Sequence, residues 1–200
     1  MGNRLSDRLI ILVRHTETVA NVTGVLVGRS NSPLTDRGIA QVEAVADYVS
    51  GLLVSRVYSS PMERTLTLAN AIAERVGAGE VVADGRLHEI DFGVAEGMRF
   101  EDLPRGGITI DYDSYSSPIV EDGESRVDVD NRVHDFIAEI AQLEGTTVVV
   151  SHGGPLRSAL TRLLGLPPTS CWAFHIDNGA VITVSMHDGI GILEELVALG

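Results

Sequence analysis

Short runs of consecutive apolar residues alternate along the chain with longer segments in which apolar residues recur every three or four positions. The short runs are rich in branched side chains, which is typical of strands buried on both faces of a sheet. Because helical patterns follow these runs, the sequence predicts a repeated strand–loop–helix unit and a mostly parallel sheet. The predicted strands span residues 8–13, 55–60 and 146–151, with a short one around 81–83.

Four segments carry the helical period, and they span residues 36–53, 61–76, 128–143 and 155–164. Thr35 is the predicted N-cap of the first helix. For the second helix, Ser60 is the predicted N-cap and Glu63 completes a capping box with it. Pro61 then takes the first helical position, and Gly77 ends the helix.

The pattern changes in two regions. Segments 171–177, 180–186 and 191–198 read as strands joined by tight turns, which would complete the edge of the sheet. Between residues 96 and 127 the periodicity fails, which indicates a long loop or lid. With no internal repeat and no linker, we expect a single α/β domain over residues 1–200, a three-layer α/β/α sandwich with a lid at about 96–127. The sheet edges leave a homodimer open, although the sequence fixes no stoichiometry.

Charge and cysteine content limit the partners and the compartment. The formal net charge is -13 and the basic residues are all arginines, so nucleic acid and acidic membrane surfaces are poor partners. Cys171 is the only cysteine, which excludes an internal disulfide and fits a reducing compartment. No apolar run is long enough for a signal peptide or a membrane span, so we expect a cytoplasmic protein. The N-terminal residues match the N-myristoylation pattern at Gly2. The strand expected from Leu9, however, leaves only a short segment to connect a lipid to the domain.

Charged residues and imidazoles gather at the predicted carboxyl ends of the strands, where ligands bind in open α/β sheets. A lone histidine there is more often structural than catalytic, but buried like charges are tolerated only around a shared anion. Guanidinium groups present paired donors that match phosphate oxygens, so we expect a small-molecule phosphate monoester as the ligand. The residues of this cluster are Arg14, His15, Arg64, Glu89, His152 and Gly153.

These residue types predict a specific chemistry. One histidine would attack phosphorus through a neutral ring nitrogen, while Glu89 would protonate the leaving oxygen. Arg14, Arg64 and His152 would stabilise the equatorial oxygens, so we expect neither a metal nor a cofactor. The sequence has no nucleotide-binding glycine loop, no cysteine–arginine loop of tyrosine phosphatases and no metal-binding histidine spacing. The other four histidines are interpreted as structural or surface residues: His88, His134, His175 and His187.

Five segments resemble, in order and spacing, the histidine phosphatase superfamily, which includes phosphoglycerate mutases and many small phosphatases. The segments are LVRHTETVAN, GRSNSPLTDRG, VYSSPMERTLTLA, LHEIDFGVAEG and VVVSHGGPLR, and they cover most of residues 9–164. The resemblance implies a phosphoglycerate mutase-like fold, with His15 as the phosphohistidine nucleophile and Glu89 as the proton donor. It also implies phosphate or substrate contacts for a further set of residues: Arg14, Thr18, Asn21, Gly28, Arg64, His152 and Gly153.

One position departs from the family motif. Thr16 follows His15 where the family usually has glycine. A β-branched residue resists positive φ, so we expect this turn to use an ordinary backbone region.

The lid favours a phosphatase over a mutase. A mutase must hold a bisphosphate and a carboxylate, yet the only basic residues between Glu96 and Ser125 are Arg99 and Arg105, set among many acidic ones. The segment EIDFGVAEG also resembles the small phosphatases more than the mutases. The acidic lid predicts a monoester whose remainder is neutral or cationic. The alternatives are a mutase-type phosphotransferase and a non-catalytic phosphate-binding module, the second encouraged by Thr16.

Overall fold

The structure, a computed structural model, describes residues 8–112 and 114–200. Gly2 and the acidic residue Asp113 of the lid therefore lie outside the described residues. Six strands form one sheet in the order β3-β2-β4-β1-β5-β6. The first four strands pair in parallel, whereas the pairings of β1 with β5 and of β5 with β6 are antiparallel, which confirms the mostly parallel sheet. The strands are β1 (Arg8–Arg14), β2 (Val54–Ser59), β3 (Val82–Ala83), β4 (Gly145–Ser151), β5 (Ala180–His187) and β6 (Ile190–Ala198).

Helices cover both faces of the sheet. They are α1 (Val19–Thr23), α2 (Asp36–Ser50), α3 (Glu63–Val76), α4 (Arg126–Ile140) and α5 (Gly153–Leu163). Side chains alternate along β1, so its two faces belong to different cores. Ile10 and Leu12 pack in the core formed with α4 and α5, whereas Ile11 and Val13 pack in the core formed with α2 and α3. This confirms the three-layer α/β/α architecture.

The first two predicted long helices differ from the structure in detail. Thr35 caps α2 as predicted, but the helix ends at Ser50, so Leu53 lies beyond it and is exposed. Gly77 ends α3 in the left-handed conformation, as predicted.

The predicted capping box at the start of α3 is wrong. The helix begins at Glu63, and Met62 occupies the cap position without a side-chain hydrogen bond. Ser60 cannot serve as the cap because its side chain is buried and its hydroxyl bonds the ring of His152 at 2.9 Å.

The tail contains two of the three strands predicted there. Residues 180–186 and 191–198 lie in β5 and β6, joined by a turn in which Asp188 and Gly189 have positive φ. The strand predicted at 171–177 is wrong, because a 3-10 helix over Pro168–Ala173 occupies its first part. Pro168 sits in the first turn of this helix, where its fixed φ suits a helical start.

The described residues between 96 and 125 form irregular chain with one 3-10 turn at Phe100–Asp102, so the predicted loop ends where α4 begins at Arg126. This segment packs over the carboxyl end of the sheet through an apolar cluster of its own. Ala95, Leu103, Ile119 and Val120 are buried in that cluster, which also includes Leu26. The chain is tied to the loop after α1 by hydrogen bonds of Leu26 with Met98 and Gly97. In the described part of the chain, no helix is long and apolar enough to cross a membrane.

Candidate active site

Two histidines meet at the carboxyl ends of the two central strands, β1 and β4. β1 and β4 are parallel neighbours with Arg14 opposite Ser151, so the residues that follow them leave the sheet side by side. The His15 amide continues the ladder by donating to the Ser151 carbonyl at 3.0 Å. The rings of His15 and His152 lie with their centroids 5.2 Å apart. The sequence-based proposal required these rings to be close, and they are.

The environment of His15 determines which ring nitrogen carries the lone pair. Its Nδ1 lies 2.8 Å from the carbonyl oxygen of Thr16, which can only accept, so Nδ1 carries the hydrogen. Burial, together with the charges of Arg14 and Arg64, lowers the pKa of His15 to about 3. At neutral pH the ring is therefore neutral, and Nε2 carries an unprotonated lone pair.

His152 is held by Ser60. Its Nε2 lies 2.9 Å from the Ser60 hydroxyl, whereas its Nδ1 is buried without a hydrogen-bond partner. Burial and the neighbouring His15 keep the pKa of His152 well below its ordinary value. If the hydroxyl donates to Nε2, the neutral ring presents an Nδ1–H donor toward the site. Ser60 is thus a site residue that sequence reasoning misassigned to a helix cap.

Two guanidinium groups face the same cavity as His15. Arg14 donates from Nη1 to the carbonyl of Ile176 at 2.6 Å, and its Nε is buried without a partner. Arg64 donates to the carbonyls of Ser30 and Gly28, each at 2.8 Å. Burial lowers the pKa of both arginines. A guanidinium nevertheless stays protonated in proteins. The site therefore concentrates fixed positive charge beside a neutral imidazole.

The cavity that these groups share has a volume of about 200 Å³. Thr18 and Asn21 line it and cap α1 through a reciprocal pair of hydrogen bonds. Asn178, in the turn before β5, donates to the His15 carbonyl at 3.1 Å and to the Asn21 side chain at 3.2 Å. Asn178 thus joins the tail of the chain to the site, a role that its turn signature did not indicate.

The two predicted glycines have different places. Gly28 does not line the cavity. Its amide donates to the Glu96 carboxylate, and its carbonyl accepts a hydrogen bond from Arg64. Gly153 begins α5 between two cations. A Cβ there would lie 3.2 Å from Arg157 Nη1 and 3.8 Å from the Arg14 guanidinium carbon.

Glu89 stands at the boundary between the small cavity and a larger neighbouring one. Its Oε1 lies only 2.5 Å from where a Cβ on Gly154 would be, so the carboxyl packs against the start of α5. Arg132 of α4 fixes the segment by donating to the carbonyls of His88 at 2.7 Å and Glu89 at 3.2 Å. Arg132 also pairs with Glu124 at 2.9 Å, but no sequence motif marks its contacts with the Glu89 segment, because those partners are main-chain carbonyls more than forty residues away.

The described residues 8–112 and 114–200 contain no group of three or more His, Cys, Asp or Glu side chains arranged to hold a metal ion. The site consists of one free imidazole nitrogen, three N–H-bearing groups and one carboxyl group. Such a set can form a covalent bond to phosphorus, hold the phosphoryl oxygens and transfer a proton.

A family model for the histidine phosphatase superfamily (branch 1) matches residues 10–198. The chain belongs to this superfamily. Among curated proteins, it is 32% identical to phosphoserine phosphatase 1 of Hydrogenobacter thermophilus, over 94% of this chain and 90% of that protein. It is 30% identical to a 2,3-bisphosphoglycerate-dependent phosphoglycerate mutase of Thermoplasma acidophilum, over 91% of this chain and 89% of the mutase.

Solved structures of superfamily members share the fold. The alpha-ribazole phosphatase of Shigella flexneri superposes with a TM-score of 0.86 at 29% identity, covering 96% of this chain and 98% of that one. A phosphoserine phosphatase mutant from Entamoeba histolytica, solved in complex with phosphoserine, gives a TM-score of 0.80 at 28% identity, with 94% and 96% covered. Relatives in the superfamily therefore include both phosphatases and mutases, and they bind small phosphorylated metabolites.

Thr16, where the superfamily usually has glycine, adopts an ordinary backbone conformation. Among the described residues, only Asp122 and Asp188 combine a side chain with a positive φ. The expectation for Thr16 is therefore confirmed. Its carbonyl orients the His15 ring, and its side chain is fully buried.

We predict that Gly154→Ala impairs this superfamily site without unfolding the protein. The new Cβ would meet the mobile end of the Glu89 side chain rather than backbone, so the carboxyl group must move. If Glu89 takes part in the reaction, its displacement should cost about tenfold or more in rate, whereas alanine within a helix is tolerated. The measurement is kcat/KM on an alkyl phosphate together with the urea midpoint.

A matched control for that prediction is Gly51→Ala, whose Cβ would make only an ordinary contact at 3.6 Å, far from Glu89 in the chain. Equal activity of the Gly154→Ala and Gly51→Ala variants would show that the position of the Glu89 carboxyl is not critical.

The buried histidines predict acid sensitivity of the fold. The unfolded chain protonates His15 near pH 6.5, whereas the folded chain resists protonation until about pH 3. The unfolded state therefore binds more protons within this window, and stability falls as the pH falls, by up to about 1.4 kcal/mol per pH unit for one histidine. Urea unfolding between pH 7 and 4 should show a shallower loss in His15→Asn than in the exposed control His187→Asn. Identical slopes would contradict the neutral, buried state of His15.

Proposed function

We propose that the protein is a metal-independent phosphatase that hydrolyses a small-molecule phosphate monoester through a phosphohistidine on His15. The observation that carries the proposal is the hydrogen bond from His15 Nδ1 to the Thr16 carbonyl, which leaves Nε2 unprotonated beside two arginines. The guanidinium groups supply the positive charge that a phosphoryl group needs, so the reaction requires no metal.

In the first step, Nε2 of His15 forms a bond to phosphorus while the ester P–O bond breaks. Glu89, at the boundary of the two cavities, gives its proton to the departing alcohol oxygen. Arg14, Arg64 and His152 hold the equatorial oxygens. The buried Nε of Arg14 and Nδ1 of His152, which have no protein partner, are donors suited to that role.

In the second step, water replaces histidine at phosphorus. The Glu89 carboxylate takes a proton from the water as its oxygen bonds to phosphorus and the P–N bond breaks. Inorganic phosphate leaves, and Glu89 is again protonated for the next turnover. One carboxyl group thus serves as acid and then as base.

The lid arginines provide no binding site for the second phosphate of a bisphosphate, which favours hydrolysis over phosphotransfer. Arg99 pairs with Glu101, and Arg105 pairs with Asp102. Neither arginine lines either cavity. A phosphoserine phosphatase among the relatives agrees with hydrolysis, whereas the related mutase keeps phosphotransfer as the competing function.

The proposal is tested with 4-nitrophenyl phosphate in the presence of a chelator. We expect 4-nitrophenol and inorganic phosphate in equal amounts over many turnovers. Tight binding of phosphate without release of nitrophenol would instead support a non-catalytic binding module. For the mutase alternative, 3-phosphoglycerate is incubated with 2,3-bisphosphoglycerate, and formation of 2-phosphoglycerate faster than phosphate release would overturn the proposal.

A further inference from the structure

A second, larger cavity adjoins the phosphate site on the side of Glu89. Its volume is about 580 Å³, and it shares Arg14, Glu89 and Phe92 with the small cavity. Pockets of about 300 to 1,000 Å³ bind drug-sized organic molecules, so this space far exceeds a three-carbon alcohol. Because Glu89 is the proposed donor to the leaving oxygen, the leaving alcohol would extend into this cavity.

Besides Arg14 of the phosphate site, two further arginines in the wall of the cavity lack an acidic partner. Arg126 and Arg157 both line it, and within residues 8–112 and 114–200 neither forms an ion pair with a carboxylate. Eight other arginines do form such pairs: Arg8, Arg29, Arg37, Arg75, Arg86, Arg99, Arg105 and Arg132. In a chain with a formal net charge of -13, unpaired cations in one cavity need a physical reason.

Both guanidinium groups are oriented by the protein. Arg157 donates from Nε to the Phe174 carbonyl at 3.0 Å, and Arg126 donates to the Pro168 carbonyl at 3.1 Å. Trp172 packs against both, with ring-to-guanidinium distances of 5.2 Å for Arg126 and 5.7 Å for Arg157. Two cations on one indole are preorganised for an anion, because their positions are set before a ligand enters.

The negative groups of the cavity do not neutralise these arginines. Asp130 accepts hydrogen bonds from the Ser158 hydroxyl and, at 2.8 Å, from the Tyr115 hydroxyl, and it makes no ion pair with Arg126. Glu89 is committed to proton transfer in the proposed function. The acidic residues of the lid within the described chain do not line the cavity at all.

We infer that Arg126 and Arg157 hold a carboxylate on the leaving alcohol, while its planar or apolar body packs against Trp172 and Tyr112. This inference rests on the proposed function, since the cavity is assigned to the leaving alcohol through Glu89. It reverses the expectation, drawn from lid composition, of a neutral or cationic remainder. Planar guanidinium forks match a carboxylate in geometry as well as in charge.

The experiment compares phenyl phosphates that differ only in the para substituent: methyl, carboxymethyl and aminoethyl. Calorimetric affinities are measured with the His15→Ala variant, which binds without turnover, and kcat/KM is measured with the unaltered protein. The carboxymethyl ester should bind about tenfold or more tightly than the methyl ester, as expected for charge-assisted hydrogen bonds. Equal affinity, or preference for the aminoethyl ester, would overturn the inference.

A pair of variants on α5 assigns the preference to Arg157. In Arg157→Gln the advantage of the carboxymethyl ester should largely disappear, while the affinity for the methyl ester stays within about threefold. Arg162→Gln, an exposed arginine on the same helix, should retain the full preference. Loss of the preference in both variants would contradict a local role for Arg157. Hydrolysis of the methyl ester reports on the proposed function separately, because that ester has no carboxylate.

Discussion

Replacement of His15 by alanine is expected to lower phosphate ester hydrolysis by about 10⁴-fold or more, the scale seen when a covalent nucleophile is removed. The reason is geometric: the neighbouring His152 has its Nε2 on Ser60 and is not placed to replace it. Rates on 4-nitrophenyl phosphate provide the measurement. His187→Ala, an exposed histidine at the end of β5, serves as the matched control and should be fully active.

A second observation comes from the same pair of proteins. The reaction is run with an ester that is labelled on its phosphoryl group and is quenched rapidly without acid. Label should then remain on the control protein and be absent from the His15→Ala variant. If the two proteins hydrolysed the ester equally fast, catalysis by this site would be ruled out, and a phosphate-binding module would become the better description.

The Glu89→Gln variant should lose activity in a manner that depends on the leaving group. Proton donation by a placed acid is worth about 10² to 10⁴-fold. An alkyl phosphate, whose alkoxide leaves poorly, should therefore react slower by that factor, whereas 4-nitrophenyl phosphate should be affected much less in its first step. Burst kinetics separate formation of the phosphoenzyme from its hydrolysis.

The control for Glu89 is Glu74→Gln, an exposed carboxyl on α3. A uniform loss across alkyl and aryl esters in Glu89→Gln would argue that the residue acts through position or charge rather than as an acid.

The central residues of the site could be predicted from the sequence because they lie at the ends of strands. Parallel strands bring their carboxyl ends to one edge of the sheet, so the sequence alone predicts that Arg14, His15 and His152 lie close together. Glu89 and Arg64 followed from the same rule and from the family resemblance. The fold class was accessible for a similar reason, since branched apolar runs between helical patterns leave few arrangements.

The supporting residues were not accessible in this way. Ser60 precedes a proline and reads locally as a helix cap, but its hydroxyl is bound to His152, which lies in a distant part of the chain. Arg132 and Asn178 support the Glu89 segment and His15 through main-chain carbonyls, which every residue carries, so no side-chain pattern marks these targets. Local preference is a weak guide where a long-range hydrogen bond competes with it.

The helical tail segment illustrates the same limit. Residues 171–177 contain enough apolar and aromatic side chains to suggest a strand. In the structure these residues belong to a 3-10 helix, in which Cys171 is buried and Trp172 packs on two arginines from α4 and α5, contacts that the local pattern does not indicate.

The position of β1 has a consequence for how the protein is made. β1 precedes both of its neighbours in the sheet by a long stretch of chain, since β4 and β5 begin only at Gly145 and Ala180. The His15 carbonyl accepts hydrogen bonds from the Asn178 side chain and from the Gly179 amide. On the ribosome, the surroundings of His15 therefore cannot assemble until the chain as far as β5 has emerged, and folding must wait for contacts between residues that are far apart in the sequence.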